Sequence, residues 1–365
     1  MENDFQNSIV DPRYLQSISF GALYNNLTKC CNNIRWKNSV TSYEANALRN
    51  TYKLRQEILN GKYQLQKYLC FIVYEPKKRE ITATRLRDRQ LQRSLCEYLL
   101  YDDMTRGFIY DNAACQIGKG INFALDRMEC FLHRAFIEYE GNNFWYLKCD
   151  IHHYFASTPH WVAKQAIAKR IKDPNVLALC YQIVDSFSST GYGIGLGSQI
   201  SQLIQLAVLD PLDHYIKEVL GIRYYIRYMD DFILIHNDKE YLRYCKEQIQ
   251  NYLAGIELQL NHKTTLQPIK NGLVFLQWRY KVTDTGKVLM LMAPDKPKRY
   301  RTKLAKLNEL VECGTITREH LDKCVECWIN NAERGDTEEV VSMMEYYYDS
   351  LITSIGGFCG YGICG

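Results

Sequence analysis

A chain of 365 residues with 47% hydrophobic and 24% charged residues is long enough for two or three compact subdomains, which excludes a small disulfide-stapled module. No apolar run reaches the roughly 18 residues that cross a bilayer, and the start, Met1-Glu2-Asn3-Asp4-Phe5-Gln6, has neither half of a secretory signal. The expected setting is reducing and cytoplasmic, with the 14 cysteines as free thiols, and a net charge of +4 does not by itself announce a polyanion partner.

Apolar positions Leu48, Tyr52, Leu54, Ile58 and Leu59 fall at helical spacing and predict a helix over 42–60, stopped by Gly61. Residues 68–74 read as a strand, Glu75-Pro76-Lys77-Lys78 as a turn and 79–84 as the returning strand. A helix follows over 85–101, an irregular segment over 107–120, a helix over 121–139, and then a strand over 144–151 with Asp150 near its end. The pattern is helical over 160–187, but glycines over 191–197 are too dense for a helix or a strand interior and predict a loop. Beyond it come a helix over 201–220, a strand over 223–228, the turn Met229-Asp230-Asp231 and a strand over 232–236. A helix over 242–253, short strands over 273–282 and 288–292, and a mostly helical stretch over 297–351 complete the pattern. Residues 356–365 form a Gly/Cys tail without a core-forming pattern, and no internal repeat is present.

Charge is unevenly distributed. Seven basic residues face two acidic ones between Lys77 and Arg93, and seven face Asp295 alone between Lys287 and Lys306. With Tyr74 and Tyr300 alongside, these stretches suit a grip on a polyanion from two sides; two solvated helix faces account for the charge equally well. More pointed is the acid pair Asp230-Asp231 on a hairpin with apolar flanks, together with Asp150 at the end of an apolar strand. Adjacent carboxylates repel and lose hydration there, and a divalent cation offsets both penalties. Two Mg²⁺ ions bridged by carboxylates are what in-line phosphoryl transfer uses, although Asp-Asp is also ordinary turn chemistry.

Tyr228-Met229-Asp230-Asp231 resembles the YxDD hairpin of reverse transcriptases, and the likeness extends along the chain from about 71 to 280. Asp150-Ile151-His152-His153-Tyr154-Phe155 resembles the first palm motif, whose aspartate is the other metal ligand and whose aromatic excludes a ribose 2′-hydroxyl. Arg79-Glu80-Ile81 and Asp88-Arg89 resemble the fingers motifs that hold the incoming triphosphate, and Leu260-Asn261-His262-Lys263-Thr264 the segment whose lysine lies near the leaving pyrophosphate. Phe275-Leu276-Gln277-Trp278 resembles the primer grip, with Gln277 where the family usually has Gly. Leu196-Gly197-Ser198-Gln199-Ile200-Ser201-Gln202 departs from the common QGxxxSP and resembles the LGxxxSQ of diversity-generating retroelement enzymes; 114–120 and 211–215 look like the same branch, whose pattern bacterial defence-associated enzymes share.

The resemblance implies an α+β right-hand polymerase fold: an N-terminal helical region over 1–66, fingers over 67–145, a palm with an antiparallel sheet over 146–285, a helical thumb over 286–355 and a flexible tail over 356–365. It implies an RNA-directed DNA polymerase, a nucleotidyltransferase of a bacterial retroelement or antiviral defence system, adding dNTPs to a primer or nascent DNA on a structured noncoding RNA template. Asp150, Asp230, Asp231 and the Ile151 carbonyl would hold two Mg²⁺; Lys78, Arg79 and Arg89 would bind phosphates; Phe155 would select the sugar; Lys263 would serve the leaving pyrophosphate. Leu196 and Gly197 would line the nucleotide, with Leu196 in place of a glutamine implying a looser grip and lower fidelity. An accessory protein or second subunit is a further candidate partner, a membrane is not, and no endonuclease, integrase or RNase H segment is recognisable. The alternatives are a polymerase that makes repetitive DNA with little or no template, and a catalytically idle RNA-binding scaffold.

Other features weigh less. His152-His153 as strand neighbours would point to opposite faces and not share a zinc ion. Cys324-Val325-Glu326-Cys327 lacks a second pair at zinc-ribbon spacing, with only Cys359 and Cys364 near, and Gly118-Lys119-Gly120 lacks the rest of a P-loop.

Overall fold

The computed structural model describes residues 10–74 and 78–356; Glu75, Pro76 and Lys77 of the expected turn, residues 1–9, and the tail 357–365 with Cys359 and Cys364 lie outside the described residues. The chain opens with α1 (Pro12–Ser17), α2 (Phe20–Cys31), α3 (Asn38–Glu44) and α4 (Ala47–Leu59). One helix over 42–60 is therefore corrected to two. The Tyr43 carbonyl accepts from the Asn46 amide at 3.3 Å and from Asn50 Nδ2 at 3.0 Å, which ends α3 and starts α4. Leu54 and Ile58 of α4 are buried, whereas Leu48, Tyr52 and Leu59 are exposed.

β1 (Leu69–Val73) and β2 (Arg79–Ala83) form an antiparallel ribbon running from Leu69↔Ala83 to Val73↔Arg79. Next, α5 (Leu86–Leu95) passes through a π-helical turn at Cys96–Leu100 into α6 (Tyr101–Thr105), and α7 (Ile121–Glu138) leads to β3 (Trp145–Asp150). After the short α8 (Tyr154–Ser157), the helical stretch expected over 160–187 divides into α9 (His160–Arg170) and α10 (Pro174–Ser186). Asp173 makes the division: its carboxylate accepts from the Asn175 and Val176 amides, and Pro174 has no N–H to contribute to a continuing helix. Then come α11 (Gln199–His214) with a π turn over Tyr215–Val219, β4 (Tyr224–Tyr228), β5 (Asp231–His236), α12 (Lys239–Ala254), β6 (Thr265–Pro268) and a 3₁₀ turn. The single strand expected over 273–282 is a hairpin of β7 (Leu273–Phe275) and β8 (Trp278–Val282), followed by β9 (Val288–Met292) and the helices α13 (Asp295–Glu312), α14 (Arg318–Ala332) and α15 (Glu338–Gly356).

Two compact units emerge. The first comprises, of the described residues, those up to Ala124 together with Leu147–Ile235 and Glu240–Leu266. Its centre is the sheet β4-β5-β3-β6, in which β4 and β5 pair from Tyr224↔Ile235 to Tyr228↔Asp231. The interior residues of β4 and β5 are buried, as is most of α11, so these elements read as apolar runs without alternation. In the N-terminal helices of this unit, Leu27, Cys31 and Val40 form a core with Leu86, and the buried Asp88 accepts from Tyr63 Oη at 2.9 Å and the Gln66 amide at 2.8 Å.

The second unit comprises Leu125–Tyr146, His236–Lys239 and the described residues from Gln267 onward. In its sheet β7-β8-β9, Phe275 pairs with Trp278, so Leu276 and Gln277 are the whole loop, with φ of 46° and 73°. Both positive values are those of a type I′ turn. Gln277 thus adopts the left-handed conformation that a glycine would supply. Leu304, Leu321, Val325 and Met344 form the core of α13–α15, and Tyr300 stacks on Trp328 at 4.8 Å. Gly335 lies so close to β9 that a Cβ there would stand 2.3 Å from the Met290 carbonyl oxygen. The twelve described cysteines are free, and among the described residues no helix is long and apolar enough to cross a membrane.

His214, at the end of α11, places Nδ1 2.6 Å from Glu218 and Nε2 2.9 Å from the Gly107 carbonyl, with Asp210 3.6 Å away. Two acceptors on one ring favour imidazolium, and Glu218 first of all raises the pKa above 6.5. A raised folded pKa means that the stabilisation is complete below the unfolded value and is lost as pH rises through the folded one. Thermal melts of wild type and His214→Gln are therefore expected to differ most at acidic pH and to converge as pH rises above the folded pKa; a difference that grows with pH contradicts this.

Candidate active site

The hairpin of β4 and β5 turns in two residues, Met229 and Asp230, because Tyr228 pairs with Asp231. Met229 has φ of 58° and Asp230 does not share the positive sign, the pattern of a type II′ turn, in which glycine is the usual first residue. A methionine there is strained and must be held by its surroundings. Arg227 holds it. Its side chain is fully buried, its Nη1 donates to the Met229 carbonyl at 3.0 Å and its Nη2 to the Leu206 carbonyl at 3.2 Å. Arg227 also pairs with Asp213 of α11 through Nε–Oδ1 at 2.7 Å and Nη2–Oδ2 at 2.5 Å, while Tyr225 Oη donates to the same carboxylate at 2.6 Å. On its backbone, the Arg227 amide donates to Asp111 O and its carbonyl accepts from the Ala113 amide, fastening a further segment along β4.

β3 ends at Asp150, and an isolated bridge joins Ile151 to Leu260. Its hydrogen bonds run from the Asn261 amide to the Asp150 carbonyl at 2.7 Å and from the His152 amide to the Gln259 carbonyl at 2.9 Å, so the Ile151 carbonyl takes no part in them. Since β3 lies beside β5, Asp150 comes close to the hairpin acids. Burial raises the pKa of Asp230, the Asp150 charge adds to the rise, and Arg79 opposes it. Asp231 is pushed up to about 6, mainly by burial, with Asp150 and Asp230 adding and Lys148 opposing. Lys148 Nζ stands 3.3 Å from Asp231 Oδ2, and Asp231 Oδ1 is buried with no hydrogen-bond partner.

Among the described residues no three His, Cys, Asp or Glu side chains already stand in a metal-ligating arrangement. The chemistry of the donor set nonetheless fits a hard divalent cation: two hairpin carboxylates whose ionisation the Asp150 charge disfavours, and an unsatisfied buried oxygen.

The other expected site residues divide. Arg79 begins β2 and acts on Asp230 through space. Leu196 and Gly197 are stitched to the same strand: the Thr82 amide donates to the Leu196 carbonyl at 3.1 Å, and a Cβ on Gly197, whose φ is 125°, would stand 3.2 Å from Ile81 Cγ2. Ser198 then caps α11 by accepting from the Ser201 amide, which explains the serines of this motif as helix-starting chemistry. Phe155 is half-buried, and its carbonyl accepts from the Ile194 amide at 2.7 Å in the glycine-rich loop. Lys78 and Lys263 are exposed; Asn261 ties the Lys263 segment to Asp150 by backbone alone. Arg89 is not brought to the acids: it donates to the Thr84 carbonyl at 3.2 Å and lies near Cys30 and Cys31, whose thiols burial pushes up while the Arg89 charge partly opposes the rise.

His152 and His153 are in a turn rather than a strand, with rings 4.2 Å apart, so the expectation of opposite faces rested on the wrong element. Cys324 Sγ lies 3.8 Å from His320 Nε2 on α14 without further ligands among the described residues. Sequence reasoning missed Arg227, Asp213 and Lys148. The available signal was an arginine inside the apolar run Tyr224–His236, which can be buried only against an acid.

An acid-bearing hairpin on an antiparallel sheet, with basic and glycine-rich segments beside it, defines the class of right-hand polymerases. Solved structures with this fold include a Candida albicans telomerase in complex with a TWJ fragment of telomeric RNA (TM-score 0.52, 12% identity, 81% of this chain and 56% of that one) and an apo telomerase from Candida tropicalis (0.50, 13%, 84% and 62%). The chain thus spans less than two thirds of either telomerase chain. The family model described as reverse transcriptase (RNA-dependent DNA polymerase) matches residues 76–273, more than half of the sequence. The chain belongs to the reverse transcriptase family, a family of nucleotidyltransferases. Protein YkfC of Escherichia coli K12 is a relative at 24% identity, over 62% of this chain and 70% of its own length.

Removing one side of a buried, bonded ion pair costs about 3–5 kcal/mol, because the remaining charge has no partner, whereas removing both is far milder. Urea denaturation of Arg227→Met is expected to show a loss of that size, and Arg227→Met combined with Asp213→Leu is expected to recover most of it. Equal losses in both variants contradict the pairing.

Proposed function

We propose that this protein is an RNA-directed DNA polymerase that extends a primer 3′-hydroxyl with dNTPs on a dedicated structured RNA, in a bacterial retroelement or antiviral defence setting. The observation that carries the reading is the convergence of Asp150, Asp230 and Asp231, in which the Asp150 charge disfavours that of both hairpin acids. A catalytically idle scaffold has no need to retain that arrangement. The departure at Leu196–Gln202 favours the diversity-generating or defence branch, and the Escherichia coli relative fits a bacterial setting.

In this reading residues 1–66 are an N-terminal helical region, 67–145 the fingers, 146–285 the palm and 286–355 the thumb, whose first helix carries the second basic stretch. Asp150, Asp230 and Asp231 with the Ile151 carbonyl hold two Mg²⁺, which when bound lower the pKa of the primer hydroxyl and neutralise the triphosphate. Arg79 and Lys78 present fixed positive charge to the β- and γ-phosphates, and charge in place before reaction needs no reorganisation. Arg89, held by Thr84, contributes from the base of the ribbon rather than by direct reach. The Phe155 ring bars a 2′-hydroxyl. Lys263 shields or protonates the leaving pyrophosphate.

The decisive experiment is to purify the protein with the RNA that accompanies it, supply Mg²⁺ and four dNTPs, and sequence the DNA made by wild type and by Asp230→Ala. DNA copied from a discrete RNA, absent with the variant, is expected. Repetitive DNA with no RNA counterpart establishes synthesis without a template instead, and equal product from both proteins overturns the site.

A looser grip on the nascent base pair follows from Leu196 standing where a glutamine is usual. Leu196→Gln is expected to lower misincorporation several-fold at template adenines with the fold unchanged, and an unchanged error rate removes Leu196 as a determinant of fidelity.

A further inference from the structure

Lys148 and Asp150 are two residues apart on β3, so their side chains leave the same face of the sheet. The lysine does not point idly into solvent from that face. Its ammonium is 3.3 Å from Asp231 Oδ2, while the second oxygen of the same carboxylate is buried and accepts nothing. Asp231 is thus half-satisfied, by a cation that is itself part of the chain.

A half-buried acid beside two others gains from a counter-charge whenever no ion is bound, and Lys148 supplies it. The same ammonium opposes an arriving divalent cation twice, by occupying an oxygen lone pair and by like-charge repulsion. Its attachment is reversible. The side chain is 26% exposed, its four-carbon stem is flexible, and an ammonium keeps no fixed fork geometry as a guanidinium does.

Resting on the reading that these aspartates hold a divalent cation, we propose that Lys148 is a displaceable counter-cation: it neutralises Asp231 in the ion-free protein and swings away when the ion binds, so that it sets the affinity of the site. Ion binding is then an exchange of one cation for another at Asp231. The exchange keeps the hairpin acids from being left without a positive partner between catalytic cycles.

The test reads ion binding directly, without polymerisation. Mn²⁺ is titrated into full-length wild type, Lys148→Met and Lys148→Arg at constant ionic strength without nucleotide, and bound ion is followed by electron paramagnetic resonance, with circular dichroism confirming each fold. Lys148→Met keeps the length of the stem and drops the charge, so it is expected to bind Mn²⁺ about tenfold more tightly than wild type. Lys148→Arg, whose fork grips a carboxylate in two places, is expected to bind several-fold more weakly. In an Asp231→Asn background the gain from Lys148→Met is expected to vanish.

Wild-type binding that disappears in Asp150→Asn, together with an affinity in folded Lys148→Met that is no higher than wild type, overturns the exchange and leaves the metal site standing. Absence of wild-type binding sensitive to Asp150→Asn overturns the metal reading and the exchange with it. The two failures are distinguishable in a single set of titrations.

Discussion

The ion pair between Arg227 and Asp213 is the constraint on which the site depends. It is fully buried at both ends, and a desolvated pair of this kind contributes little net stability compared with apolar side chains of similar volume. What it contributes is placement. One guanidinium joins α11, through Asp213 and the Leu206 carbonyl, to the Met229 carbonyl in the turn that carries Asp230. A turn with a positive φ at a methionine is not the conformation a free hairpin would choose, so the energy that holds it must come from outside the hairpin. It comes from α11, whose Asp213 and Leu206 carbonyl fix Arg227, and Arg227 passes it to the residue before Asp230.

Charge follows the same logic. Loss of hydration first, and the neighbouring acids second, raise the pKa values of both Asp230 and Asp231. The positive groups around them are of two kinds. Arg227 is locked by a bidentate partner and holds the backbone; Lys148 and Arg79 act on the carboxylates themselves, the first by contact and the second through space. Rigid backbone and adjustable counter-charge are what an acid cluster requires if it is to alternate between holding and releasing a cation.

Much of this was legible in the sequence, and the exceptions have physical causes. Asp150, Asp230 and Asp231 stood out because carboxylates beside apolar strands are expensive, and the glycines over 191–197 because no other residue suits so many close approaches. Leu196 and Gly197 were visible as a motif, but only the structure shows that β2 lies against them, since backbone pairing between distant segments leaves no local trace. The helix breaks near Ala45 and Asp173 were missed for a different reason: apolar periodicity continues across a cap, and the cap lies in a side chain bonding to backbone. The β7–β8 hairpin was read as one strand because its turn is Leu276-Gln277 rather than a glycine pair. Conformation there is imposed by the sheet against the preference of the residues.

Lys148 shows why some partners of the candidate site escape sequence reasoning altogether. A lysine in the run Phe144–Ile151 reads as the polar side of an edge strand, yet alternation places it on the face of Asp150, and the neighbouring β5 brings Asp231 to it. Nothing within several residues of Lys148 announces an acid pair that lies some eighty positions away. Arg227 announces itself as an arginine in an apolar run, but not its partner Asp213, from which a π turn, a loop and most of a strand separate it. Carboxylates beside apolar strands can be recognised by their own discomfort, whereas which cations make them tolerable is settled only once the fold has placed them.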